Sequence, residues 1–252
     1  MESKTLPTQT RPSIVVAWAI HVFTASGAVL AFAAFMAVER GQWRQALLWL
    51  GAALVVDGVD GTLARWAGVM ERTPAIDGAT LDLVVDYLTY VFVPAILIWR
   101  AVPLPPDLAV VLIAAILLSS LYTFARTDMK TPDNFFRGFP ALWNIIAFYL
   151  VLLRPQAWTS AIVIAVFALL TFAPIHFIHP VRVRIFQPWL GGVTALWGVA
   201  SMALLFPGWR APWAQAWLGA SLAGGALLLA VGLWRTLRGP ARAAVGDGAD
   251  VL

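Results

Sequence analysis

The chain has 252 residues, of which 61% are hydrophobic and only 12% charged. A soluble domain carries roughly twice that charge, and apolar runs recur along the whole length, so the composition points to a polytopic membrane protein. The net charge is +4 and there is no cysteine, which excludes a disulfide frame, Cys-ligated zinc and thiol catalysis and leaves no nucleic-acid footprint.

The polar start, MESKTLPTQTRP, lacks the apolar core and cleavage site of a signal peptide, so the first apolar run reads as a retained helix. Eight spans follow, at 13–38, 43–66, 78–102, 107–127, 139–153, 157–178, 189–206 and 213–234. The expected fold is an all-α membrane helix bundle of about eight transmembrane helices. No Pro/Gly/Ser-rich linker divides it, so residues 1–238 read as one domain. Its core covers about 13–184, with two extra helices over about 189–235. The tail, 239–252, is rich in small and polar residues and reads as disordered. Of the seventeen Lys and Arg, twelve fall on the side of the N-terminus and five on the other. The positive-inside rule puts the twelve, and both termini, in the cytoplasm.

Four aspartates interrupt apolar sequence on the second and third spans. Each costs at least about 2.5–3.5 kcal/mol near a bilayer centre without a partner. Asp57 and Asp60 are three residues apart, and Asp82 and Asp86 four apart, so each pair shares a helix face. The first pair lies roughly 9–14 Å before the end of its span, and the second about 6–12 Å into the next, at 1.5 Å per residue. Two antiparallel neighbours would therefore present four carboxylates at one depth, near the cytoplasmic side. Hard oxygen ligands of this kind suit Mg²⁺ or Mn²⁺, which also bind phosphate oxygens. Gly61 and Gly78 allow close approach to the helix backbone, Ala64 keeps the same face small, and Arg65 offers a planar fork for phosphate. The competing reading of such aspartates is a cation- or proton-coupled transporter. Against it stand the placed glycines, Arg65 and the lack of visible inverted repeats.

These positions resemble the signature of the CDP-alcohol phosphotransferases, D-x-x-D-G-x-x-A-R, a spacer, then G-x-x-x-D-x-x-x-D. All eight fixed positions match: Asp57, Asp60, Gly61, Ala64, Arg65, Gly78, Asp82 and Asp86. The resemblance implies a transferase that moves a phosphatidyl or similar group from a CDP-linked donor to an alcohol and releases CMP. It implies that Asp57, Asp60 and Asp82 bind divalent metal, as two ions of Mn²⁺ or Mg²⁺. Asp86 would be the base for the acceptor hydroxyl and would also touch a metal. Gly61, Ala64, Arg65 and Gly78 would line the CDP moiety. The spacer is twelve residues, 66–77, where about eight is usual, and the helix count is eight where six is usual. Both departures are similar to the bacterial branch that condenses CDP-diacylglycerol with choline. So are the stretches AWAIHVFTASG at 17–27, DYLTYVFVPA at 86–95, MKTPDNFFRGFPALWN at 129–144 and FIHPVRVR at 177–184. The implied setting is the bacterial cytoplasmic membrane, with membrane lipid as a partner and the active site at the cytoplasmic face. A homodimer is implied by relatives, though no stretch marks an interface.

Choline is a fixed cation best held by aromatic faces. Tyr122 and Trp143 are the first candidates, with Tyr87 and Phe139 beside them; Asn144 offers a hydrogen bond or ties helices together. Serine, glycerol phosphate and inositol phosphate are the rival acceptors, and the anionic ones need a cationic pocket. His21 and Thr24 resemble the Asn-x-x-Thr that lies near the nucleotide in relatives; a helix-packing pair is the alternative. Arg126 and Lys130 are candidate phosphate contacts. Arg137, Arg182 and Arg184 carry the same sign on the same side. His176 and His179 have metal-compatible spacing but no third ligand in sequence. Asp128 and Asp133 read as solvated loop charges, and Glu71 as a residue that orders the spacer.

Overall fold

The computed structural model describes residues 13–179, 183, 188–206 and 212–239. Arg182, Arg184 and residues 240–252 of the tail lie outside the described residues. Helix α1 spans Ile14–Glu39 and α2 Trp43–Ala67. A single turn, α3, covers Val69–Arg72. Helix α4 runs Gly78–Ala101, α5 Ala109–Ala125, α6 Trp143–Leu153 and α7 Ala157–Leu170. Helices α8, Trp189–Ala203, and α9, Ala214–Arg238, complete the bundle.

Four of these helices, α1, α2, α4 and α9, are long and apolar enough to cross a bilayer. The other four are apolar but shorter, between 11 and 17 residues. An 11-residue helix rises about 16 Å, roughly half of a hydrocarbon core. Prolines trim two of the expected spans. The fifth begins at Trp143 and not at 139, because Pro140 intervenes and Ala141 takes a φ of 59°. The sixth ends at Leu170, four residues before Pro174. The remainder of that segment is strand β2, His176–Ile178, antiparallel to β1, Phe135–Arg137. Phe135 pairs with Ile178, Phe136 with Phe177 and Arg137 with His176. Gly138 makes the exit from β1 at φ 78°, where any side chain would run into the Thr171 carbonyl.

Helix α1 shows the packing logic of the bundle. Its buried face is mostly small, with Ala17, Gly27, Ala31, Ala34 and Ala37 beside Ile20, His21, Thr24 and Val38. Its large side chains, Val15, Val22, Val29 and Phe32, face outward. That pattern inverts a soluble helix and suits lipid, where helices associate through close van der Waals contact of small residues. Across the middle lie Val38, Leu50, Val91, Leu97, Ile98, Ile116, Trp143 and Ile164, all buried in one cluster.

Helix α4 is not uniform. It is α-helical over Gly78–Asp86, π-helical over Tyr87–Phe92 and α-helical again over Val93–Ala101. Pro94 supplies the cause. It has no N–H for the Tyr90 carbonyl four residues back, and its ring crowds that carbonyl. A widened turn relieves both problems.

Candidate active site

The site is built where α2 and α4 pass each other. One carboxylate oxygen each from Asp57, Asp82 and Asp86 lies within 4.8 Å of the other two. Oδ1 of Asp86 is buried and has no hydrogen-bond partner among the described residues. A buried acceptor without a donor is costly. Beside two more carboxylates it makes a hard, anionic oxygen cradle that a divalent cation satisfies. The donor set therefore fits Mg²⁺ or Mn²⁺. Asp60 is buried one turn on from Asp57, with the buried Thr24 of α1 beside it. It stands outside the three-oxygen group, so the aspartates form a triad with a fourth carboxylate beside it.

The helix that carries Asp82 and Asp86 has a strong N-terminal cap. Asp77 accepts from the Ala79 and Thr80 backbone N–H groups at 3.0 and 3.2 Å, and from the Thr80 hydroxyl at 2.6 Å. The Thr80 bonds and the Ala79 amide hold the Asp77 carboxyl below the usual carboxylate range. The capping residue thereby fixes where the helix begins and hence the height of both aspartates.

His21 and Gly78 meet at this cap. A Cβ on Gly78 would lie 3.3 Å from Cε1 of His21. The Thr73 hydroxyl gives its hydrogen to the Val69 carbonyl at 2.9 Å, so it accepts from Nε2–H of His21 at 2.8 Å. His21 thus ties α1 to the spacer between α2 and α4. The spacer is ordered further by Gly68, which ends α2 at φ 59°, and by Arg72, whose Nε donates to the Ala67 carbonyl at 2.8 Å. Arg65 is exposed, with Nη2 on the Thr62 hydroxyl at 3.2 Å, one turn beyond Gly61 and beside Ala64 on α2.

The remaining candidates are spread over α5, α6 and the hairpin. Trp143 is fully buried, its indole N–H donates to Ser120 at 2.9 Å, and Phe139 packs edge-on at 5.2 Å. Phe139 is buried against Phe167 and Phe177. Asn144 is buried and accepts from the Ile145 N–H. Tyr122 is exposed; Arg126 lies over its ring at 5.4 Å and Phe172 packs beside it. Tyr87 directly follows Asp86 and meets Phe124 edge-on at 5.7 Å. Arg126 grips Asp128 through two donors, at 2.8 and 3.0 Å, and reaches the Arg137 carbonyl. The bond to Arg126 holds the Asp128 carboxyl down and the Arg126 guanidinium up. Lys130 sits over the Phe136 ring at 5.5 Å, and the opposite stacking partner of that ring is His179 at 5.4 Å.

Three further residues hold the site in place. Tyr90 donates to Oδ2 of Asp57 at 2.6 Å. Thr73 anchors His21, and Asp77 caps α4. The cap was legible as an Asp directly before the first helical residue. Tyr90 had a subtler signal, its place four residues after Asp86 and four before Pro94.

The residues of this site lie in a region that is similar in sequence to known proteins. The family model for CDP-alcohol phosphatidyltransferase matches residues 14–175, which includes every aspartate above and stops before α8 and α9. A phosphatidylcholine synthase of Pseudomonas aeruginosa is 44% identical over 222 residues, covering 88% of this chain and 92% of that protein. One from Mesorhizobium japonicum is 42% identical over 181 residues, 72% of this chain and 68% of its own. One from Rhizobium meliloti is 40% identical over 198 residues, 78% and 82% of the two chains. With the converging carboxylates inside the matched region and likeness over most of its length, the chain belongs to the CDP-alcohol phosphatidyltransferase family.

Proposed function

We propose that this protein is a phosphatidylcholine synthase, which transfers the phosphatidyl group of CDP-diacylglycerol to choline and releases CMP. The observation that carries the reading is the triad of Asp57, Asp82 and Asp86 with the unpaired Oδ1 of Asp86. The likeness to phosphatidylcholine synthases selects choline as acceptor.

Asp86 takes the choline hydroxyl proton, and the freed oxygen attacks the phosphorus that carries the diacylglycerol. The bond from that phosphorus to the bridging oxygen breaks, and CMP leaves with the electron pair. Two divalent ions held by Asp57, Asp60, Asp82 and Asp86 would offset the negative charge of the diphosphate and of the departing phosphate. Arg65, at the exposed end of α2, is the phosphate contact that reading favours, with Gly61, Ala64 and Gly78 leaving room for the nucleotide. Lys130 lies over Phe136 and Arg126 is engaged by Asp128, and both are candidates for an anionic head group. His21 and Thr24 act on the site from behind, through Thr73 and Asp60.

For choline, Tyr87 is the aromatic residue best supported, since it adjoins Asp86 and pairs with Phe124. Trp143 and Phe139 are sealed by their neighbours, which weakens their claim. The charge balance of the loops supports both termini and the site on the cytoplasmic side of the bacterial inner membrane, and the eight apolar runs support eight spans. A homodimer is a further expectation, read directly by native mass spectrometry.

The test is purified protein in detergent with CDP-diacylglycerol, choline and Mn²⁺. CMP and phosphatidylcholine should form together and both should cease in Asp86→Asn. Serine, glycerol phosphate and inositol phosphate in place of choline should give no CMP; turnover with one of them would reassign the acceptor.

A further inference from the structure

Tyr90 lies within a helical irregularity that begins one residue after Asp86, and its hydroxyl reaches across to another helix. The phenol is buried, and it donates to Oδ2 of Asp57 at 2.6 Å. That length is in the range of charge-assisted O–H···O⁻ bonds. Asp82 and Asp86 also lie within electrostatic range of the hydroxyl. The π-helical turn, Tyr87–Phe92, begins at the residue after Asp86 and contains Tyr90. Pro94 enforces that turn from the sequence, as described above. Such turns are frequent at functional sites.

We infer that Tyr90 is a positioning residue for the metal-binding carboxylates, delivered to Asp57 by the π-helical turn that Pro94 imposes. This deepens the proposed function and rests on it. A carboxylate rotates about its Cβ–Cγ bond, and three carboxylates crowded within 4.8 Å repel one another without a cation. The Tyr90 hydroxyl holds one oxygen of Asp57 and so fixes that rotation before a cation arrives. Partners of this kind orient ligands and are commonly worth a factor of about 10–100 in metal affinity. A bond that merely satisfied a buried phenol would act on stability alone.

The two roles separate in Tyr90→Phe, which removes one oxygen and keeps the ring. Mn²⁺ binding to the purified protein, followed by electron paramagnetic resonance of the free ion, should weaken at least about tenfold. The metal-free melting temperature reports the structural part separately. The Mn²⁺ concentration for half-maximal CMP release should rise in parallel, while the choline KM at saturating Mn²⁺ stays unchanged. In an Asp57→Asn background, Tyr90→Phe should add less than a factor of two, because the group it positions is gone. An Mn²⁺ affinity for Tyr90→Phe within twofold of the wild type overturns the inference, whatever happens to the melting temperature. So does a full additional loss in Asp57→Asn. A wild-type protein that binds no Mn²⁺ overturns the metal reading itself, a result distinct from the first two.

Discussion

Gly27 on α1 faces Val85 on α4 so closely that a Cβ on the glycine would lie 2.5 Å from Cγ1 of the valine. Val85 is buried and stands next to Asp86. The contact therefore sets the distance from α1 to the helix that carries two of the three converging carboxylates. Gly27→Ala should force α4 outward. Overpacking of this sort costs about 1–3 kcal/mol, and the variant should lose Mn²⁺ affinity as well as melting temperature. Binding titrations beside thermal melts check both.

Chelation offers a second test. Metal removal leaves the buried Oδ1 of Asp86 unpaired. Wild-type protein should therefore melt lower in EDTA than in Mn²⁺. Asp86→Asn should lose that difference without melting lower than metal-free wild type, because one member of the carboxylate cluster is gone. A metal-dependent shift that survives in Asp86→Asn would place the ion elsewhere.

Thr73→Val removes the acceptor for His21 and leaves a buried ring N–H unpaired. The expected cost is about 1–3 kcal/mol. The spacer should become sensitive to protease, with cuts in 68–77 that the wild type resists, and Thr73→Ser should restore resistance. Because His21 lies against Gly78, the KM for CDP-diacylglycerol should rise more than the KM for choline.

Trp143→Phe and Tyr87→Ala distinguish packing from recognition. Trp143 is enclosed and bonded to Ser120, so its replacement should lower the melting temperature and leave the choline KM in place. Truncation of a buried aromatic as far as alanine costs about 3–5 kcal/mol, which is why phenylalanine is the better probe. Tyr87→Ala should raise the choline KM severalfold. The opposite pattern would return the trimethylammonium site to Trp143.

The last helix is held by charge. Nε of Arg235 meets Oδ2 of Asp133 at 2.6 Å, and the Arg235 side chain is 8% exposed. Burial alone would raise the Asp133 carboxyl; the bonds to Arg235 and Thr131 hold it below its usual value. A carboxyl depressed in the folded state stabilises above its unfolded value, about pH 4, and that stability is lost as pH falls through the folded value. Asp133→Asn should strand Arg235. The penalty for a fully buried pair is about 3–5 kcal/mol, and the partial exposure of Asp133 argues for the lower end. Melts from pH 6 to pH 3 should show a fall in wild type that is shallower in Asp133→Asn.

Much of this protein was readable from its residues because the relevant signals are local. Apolar runs marked every helix of more than one turn. Spacing of three and four residues put the aspartates on common faces, since helical periodicity acts within one element. The eight-position signature lay within a single stretch of α2, spacer and α4. Prolines and positive φ angles trimmed the fifth and sixth spans, again through local backbone chemistry.

Other features depend on which surfaces meet, and no local spacing specifies that. Packing turned Asp60 toward Thr24 while Asp57, Asp82 and Asp86 converged. It carried the Tyr90 hydroxyl from α4 to Asp57, spent the donors of Arg126 on Asp128, and closed Trp143 into the core. It paired 135–137 with 176–178 and brought α9 so near β2 that Gly232 leaves no space for a side chain beside the His176 carbonyl. The sequence by itself determined the helices, the motif and the family. Only the tertiary structure decided which carboxylates share one cradle and which side chain holds them there, because those contacts join residues far apart in the chain and are chosen by shape and hydrogen bonding between helices.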